Sequence, residues 1–176
     1  MDTQQLHRYL LAFGSNLGDR QTNCQQALAL MAAHFTLLKT SPWEYTAPLR
    51  SAQHETRDHE EYLNFVVDGL SHLGPQELYQ EIVSIENLIG HRREQRWLPR
   101  HLDIDILLWA DNSHQEFAQC QPRRFLGTNA LLVPHAQLHK REFLCKALAT
   151  TFNLTFEMTS ANFSLCSTKL LSLNKG

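Results

Sequence analysis

Arg96-Trp97-Leu98-Pro99-Arg100-His101-Leu102-Asp103-Ile104-Asp105-Ile106-Leu107 joins a basic, proline-broken loop to an apolar strand that carries two carboxylates. Side chains two apart in a strand share a face. Asp103 and Asp105 therefore project together, and Ile104 and Ile106 face the other way. Aspartate is disfavoured in strands, and two carboxylates side by side on a core strand repel unless a cation sits between them. Mg²⁺ meets that need with oxygen ligands and usually keeps places for water and phosphate oxygens. Arg92, Arg93, Arg96 and Arg100 lie just upstream, and guanidinium forks match phosphate geometry. An acidic pair beside arginines is the equipment of polyphosphate chemistry, where paired metals steady attacking and leaving oxygens. Such catalysis works mainly by positioning and charge stabilisation. A plainer reading of the same residues is a solvated acidic strand face paired to nearby arginines. The chain has no G-x-x-x-x-G-K-[ST] string, which excludes a P-loop.

Outward from this strand, the chain reads as alternating elements. Residues 8–13 form a short apolar run that ends at Gly14-Ser15-Asn16-Leu17-Gly18, a strand feeding a turn. A helix over 21–34, capped near Asp19, is predicted to place Ala27, Leu28, Leu30 and Met31 on its apolar side. A second strand follows over 36–39, and the chain stays extended through Trp43 and Tyr45. Residues 49–61 are polar without apolar periodicity and read as an exposed loop. YLNFVVDGL, residues 62–70, has strand character. The spacing of Leu78, Ile82, Ile85 and Leu88 or Ile89 predicts a helix over 75–89. Pro75 suits its first turn and Gly90 its stop. Beyond the acidic strand come a polar stretch over 111–125, a short strand over 131–133 and a helix over about 141–150. The alternating tail after Phe152 has the pattern of one more strand. One mixed α/β domain over 1–176 accounts for this order.

The composition excludes several classes. Apolar residues make up 43% of the 176 and charged residues 19%, which is ordinary for a soluble globular chain. The net charge of −2 argues against non-specific nucleic-acid binding. Cys24, Cys120, Cys145 and Cys166 form no C-x-x-C pair, as expected of free thiols in a reducing cytoplasm. MDTQQLHRYL lacks the apolar core of a signal peptide, and no apolar run approaches the ~20 residues needed to cross a membrane. A cytoplasmic protein is expected, with neither membrane nor nucleic acid as partner.

Five segments resemble, in order, the 6-hydroxymethyl-7,8-dihydropterin pyrophosphokinases of folate synthesis. They are AFGSNLGDR (12–20), the tryptophan–threonine–proline region (43–48), YLNFVV (62–67), RWLPRHLDIDIL (96–107), and LVPH (132–135) followed by Arg141 and Phe143. The resemblance covers about 8–150 and leaves 151–176 unassigned. It implies a ferredoxin-like α+β fold, with a largely antiparallel sheet flanked by helices. It also implies transfer of pyrophosphate from ATP to the pterin hydroxymethyl group, with AMP released.

The same resemblance assigns roles by position. Asp103 and Asp105 correspond to the ligands of two Mg²⁺ ions, and with Arg93 and Arg100 they form the expected catalytic set. Arg96, Trp97, Arg100, Ile106, His135 and Arg141 fall where the family contacts ATP. Tyr62 and Phe143 correspond to the aromatics that sandwich the pterin, with Thr46, Pro48, Asn64 and Glu86 as further substrate contacts. His91, Leu98, Ala130 and Ala136 depart from the family pattern in the nucleotide and lid regions. The alternative activity is that of a catalytically weak or inactive paralogue which binds a pterin or nucleotide.

Overall fold

A computed structural model describes residues 5–48, 59–90, 98–111, 117, 123–127, 131–136, 138–158 and 163–167. The first strand, β1 (His7–Ser15), is buried along nearly its whole length. It leads into α1 (Arg20–Met31), where Asp19 Oδ1 accepts from the Thr22 N–H at 3.0 Å and caps the helix. β2 (Thr36–Thr40) and β3 (Glu44–Thr46) follow, and then β4 (Tyr62–Ser71). The next helix, α2 (Pro75–Ile89), begins where Glu77 accepts the Gly74 N–H at 2.8 Å. It stops at Gly90, whose φ of 102° is left-handed and suits a residue without a Cβ. β5 (Asp103–Ala110) carries the acidic pair.

β2, β4, β1 and β5 lie side by side in that order, and β3 also pairs with β4; every pairing is antiparallel. β1–α1–β2 and β4–α2–β5 are thus two β-α-β units, each split by a strand of the other. This is the ferredoxin-like arrangement expected from the sequence.

The sheet has two differently covered faces. Tyr9, Leu11, Phe13, Phe65, Ile104 and Ile106 pack with Leu78, Ile82 and Ile85 of α2 and Ala27 and Met31 of α1. Within this layer Trp43, Phe65 and Phe13 form a stack, with centroid spacings of 4.4 and 4.9 Å. Leu10, Ala12, Val66, Leu107, Leu108 and Ala110 meet Leu144, Leu148 and Phe152 of α3 (Glu142–Phe152) on the opposite face. That second face also buries an ion pair, in which Arg8 donates to both Asp68 oxygens at 2.8 and 2.6 Å. Two charges out of water persist only with such two-point pairing.

β1 and β5 change register between Leu10 and Leu11: Leu10 faces Leu108, whereas Leu11 faces Ile106. Leu107 is the extra residue of a β-bulge. Below it, Ile104 and Ile106 face α1 and α2; beyond it, Trp109 does so.

Several expectations need adjusting. Leu30 is 41% exposed, so the apolar face of α1 is narrower than its spacing predicts; on α2 the choice between Leu88 and Ile89 falls to Ile89, which packs against the core while Leu88 is 74% exposed. Cys24, Ala27 and Met31 fill the α1 interface instead. β6 (Phe125–Leu126) pairs with the short strand β7 (Leu132–Val133), which was expected over 131–133. The tail forms β8 (Leu154–Met158) and β9 (Phe163–Ser167), which pair with each other in a separate hairpin. Among the described residues, no helix is long and apolar enough to cross a membrane.

Candidate active site

A cavity of about 490 Å³ opens on the sheet face that carries α3. Its walls include Thr46 and Pro48 from β3 and the loop after it, Tyr62 and Asn64 from β4, Asp103 from β5 and Arg100 before it, and Arg141 and Phe143 at the start of α3. Eight of the residues expected to hold substrates thus meet in one space. Tyr62 and Asn64 share a face because they lie two apart on β4. Phe143 comes from α3, packed on that same face.

The floor of the cavity is a row of paired residues. Glu44 lies opposite Asn64, Asn64 opposite Gly14, and Gly14 opposite Asp103. The Asn64 amide nitrogen donates to Thr46 Oγ1 at 2.7 Å, which fixes the side chain. A Cβ on Gly14 would stand 2.9 Å from Asn64 Oδ1, so the missing side chain makes room for the amide.

Asp103 and Asp105 both project to this side, each about a quarter exposed, and each has its own cation. Arg100 Nη1 lies 3.0 Å from Asp103 Oδ1. Arg141 Nη1 and His135 Nε2 each lie 3.7 Å from Asp105. Asp103 and Tyr62, with Asp105, favour the charged form of Arg100; burial opposes them, and the net effect holds its pKa above the usual value. The Tyr62 phenol is pushed up chiefly by burial and also by Asp103, against the pull of Arg100, so it stays neutral. Arg100 Nε and Arg141 Nε are buried without a hydrogen-bond partner. Buried donors of this kind call for an acceptor, and both flank the carboxylates at the cavity edge.

Local structure explains how these groups are held. Arg141 occupies the N-cap position of α3 but makes no side-chain cap, which leaves its guanidinium for Asp105. The His135 N–H donates to the Leu107 carbonyl at 3.0 Å and docks the 131–135 segment on β5. Glu86 Oε1 accepts from the Ile104 N–H at 2.8 Å, between the two aspartates.

Glu86 and Ile106, expected to touch substrate and nucleotide, do not line the cavity. Glu86 is fully buried under β5, and Ile106 belongs to the core beneath α1 and α2. His135 stands beside Asp105 and is not part of the cavity wall. Arg93, Arg96 and Trp97, together with Arg92, His91 and Ala130, lie outside the described residues.

Sequence reading missed Glu44, His59, Glu142 and Lys146, which also line the cavity. Glu44 was legible in principle, since it stands two residues before Thr46 on one short strand.

Among the described residues, no group of three or more His, Cys, Asp or Glu side chains is placed to hold a metal. A pair of carboxylates is an incomplete shell. That suits Mg²⁺ shared with phosphate oxygens and water better than a closed structural site.

The model of the 7,8-dihydro-6-hydroxymethylpterin-pyrophosphokinase family matches residues 10–153. The chain belongs to this family. A Bacillus subtilis 2-amino-4-hydroxy-6-hydroxymethyldihydropteridine pyrophosphokinase is 36% identical over 141 residues, covering 79% of this chain and 74% of the relative. The Aquifex aeolicus protein of the same description is 32% identical over 133 residues, covering 76% and 72%. A mitochondrial folate synthesis bifunctional protein of Arabidopsis thaliana is 30% identical over 149 residues. The match covers 81% of this chain but only 23% of that longer protein. The family match includes every expected site residue named above, from Thr46 to Phe143.

Proposed function

We propose that the chain transfers pyrophosphate from ATP to the hydroxymethyl group of 6-hydroxymethyl-7,8-dihydropterin, with release of AMP, as a step in folate synthesis. The observation that carries this reading is the joining, in one cavity, of an aromatic pair with an amide (Tyr62, Phe143, Asn64) and a carboxylate with guanidinium groups (Asp103, Arg100, Arg141). The first set suits a flat, amide-edged heterocycle. The second suits a polyphosphate.

In this reading the pterin ring stacks between Tyr62 and Phe143, with Asn64 and Thr46 at its edge. Asp103 and Asp105 would hold two Mg²⁺ ions, which when bound would supply positive charge to offset that of the phosphates and of the reacting oxygens. Arg100 and Arg141 turn to the phosphate oxygens, a role that the family resemblance also gives to Arg93 and Arg96. The pterin hydroxyl oxygen forms a bond to the β-phosphorus in line. The bond from that phosphorus to the α,β-bridging oxygen breaks, and AMP leaves with that oxygen. The hydroxyl proton passes to water or to a phosphate oxygen. Most of the rate gain comes from holding the reactants in line and stabilising charge.

A cytoplasmic location goes with this reading, and the free Cys24 and Cys145 are compatible with a reducing compartment. One assay tests the function: AMP formation from ATP with 6-hydroxymethyl-7,8-dihydropterin, with and without Mg²⁺. Binding of the pterin without any AMP formed over hours favours the inactive-paralogue alternative.

A further inference from the structure

We infer that Glu44 is a specificity residue that reads the 2-amino end of the pterin, with Lys146 holding its carboxylate in place. The inference rests on the pterin-binding reading above and extends it to residues that reading does not use.

In the relatives' own substrate name the amino group is at position 2 and the hydroxymethyl group at position 6, at opposite ends of the bicycle. The hydroxymethyl group must lie toward Asp103 and Asp105 to meet the phosphate. Stacking on Tyr62 and Phe143 leaves the ring only its own plane in which to extend. Its far end then runs away from Asp103 along the floor row Asp103, Gly14, Asn64, Glu44. Directly paired residues share a face of the sheet, and Asp103, Asn64 and Glu44 all line the cavity. Three strand steps of about 4.8 Å separate the two carboxylates by roughly 14 Å. That is the scale of a bicyclic ring with a phosphate and a metal contact at one end.

The amino group and the neighbouring ring N–H are both donors. A carboxylate accepts such a pair side by side, through charge-assisted bonds. Glu44 Oε1 takes Lys146 Nζ at 2.5 Å, but an ionised carboxylate has about four acceptor positions. Lys146 lies three residues after Phe143 on α3, so both project from one helix face. The helix that supplies the stacking ring thereby also fixes the reader. The plain alternative is a rim ion pair that ties β3 to α3 and is blind to the substrate.

Steady-state AMP formation is compared for 6-hydroxymethyl-7,8-dihydropterin and its 2-desamino analogue, with calorimetric binding of both run in parallel. The proteins are wild type, Glu44→Ala, and the charge-swapped Glu44→Lys/Lys146→Glu. Wild type is expected to prefer the amino substrate. Glu44→Ala should raise the pterin KM about tenfold, leave the KM for ATP alone and leave the analogue unaffected, so that the preference disappears. The swapped protein keeps an ion pair and its thermal stability but does not regain the preference. An unchanged preference in Glu44→Ala, equal losses for both pterins, or a preference restored by the swap overturns the inference. A wild type that makes no AMP yet binds the amino pterin through Glu44 overturns the proposed reaction and leaves this inference standing. A wild type that binds neither pterin overturns both.

Discussion

Asn16 and Arg100 hold each other's backbone: the Asn16 N–H donates to the Arg100 carbonyl at 3.0 Å, and Asn16 Oδ1 accepts the Arg100 N–H at 2.8 Å. The turn after β1 thus anchors the residue whose guanidinium meets Asp103. Asn16→Ala leaves the Arg100 N–H without its acceptor, a loss of about 1–3 kcal/mol. A lower melting temperature is expected, together with a fall in kcat. An unchanged kcat in the variant would show that Arg100 keeps its place without the anchor.

Gly14→Ala presses a methyl group against Asn64 Oδ1 at 2.9 Å. The amide must turn, and its bond to Thr46 breaks. We expect a rise in the KM for the pterin of roughly tenfold, the equivalent of one lost hydrogen bond, with ATP binding kept. Calorimetric titration with each substrate separates the two.

Glu86→Ala removes the acceptor of the Ile104 N–H and opens space beneath β5. A loss of stability of at least about 1–3 kcal/mol follows from the buried unpaired donor, with reduced turnover because the acidic strand loses its support. Glu86→Gln keeps an acceptor oxygen and should recover much of both. Denaturant unfolding and AMP release read the two effects.

Asp103→Ala and Asp105→Ala should each lower AMP formation at least ~100-fold, or about 2.7 kcal/mol of barrier, while far-ultraviolet circular dichroism stays native. Both side chains are about a quarter exposed, so the core does not depend on them. Chelation of Mg²⁺ should silence the wild type to the same degree. Full activity in both variants removes the metal role.

His7 gives the stability a dependence on acid. Burial first, and Arg123 next, lower its pKa below the usual 6.5, with Glu77 opposing. The Trp109 indole N–H donates to His7 Nδ1 at 3.2 Å, which requires the neutral ring. Asp111 Oδ1 stands 3.3 Å from the same nitrogen but is buried without a hydrogen bond. Below 6.5 the unfolded chain takes up a proton that the folded chain resists. The contribution is therefore complete above pH 6.5 and is lost as the pH falls toward the folded value. His7→Gln should flatten this part of the stability–pH curve measured by denaturant unfolding.

The elements with strong local signals were legible. α2 follows from an unbroken 3.6-residue spacing with Pro75 and Gly90 as its punctuation, and β5 from an apolar run with two same-facing acids. Tyr62, Asn64, Asp103 and Phe143 could be grouped from ordered segments because each sits at a fixed place on a strand or a helix start. Leu30 misled because helical spacing alone does not say how wide the buried stripe is. Glu44 and Lys146 escaped because they face each other only through the packing of α3 across β3. Glu86 and Ile106 were given ligand roles by position, but β5 turns Ile106 toward the opposite core and α2 holds Glu86 beneath the strand.

The extra residue at Leu107 divides β5 into two lengths whose side-chain phase is set independently. An uninterrupted alternation would carry Asp105, Leu107 and Trp109 to one side. With the interruption, the indole goes under the helices while the carboxylates stay on the open side. A change of length or sequence around 111–125 can therefore shift the distal portion without rotating the acids out of alignment. The bulge insulates the chemistry from variation at the other end of the same strand.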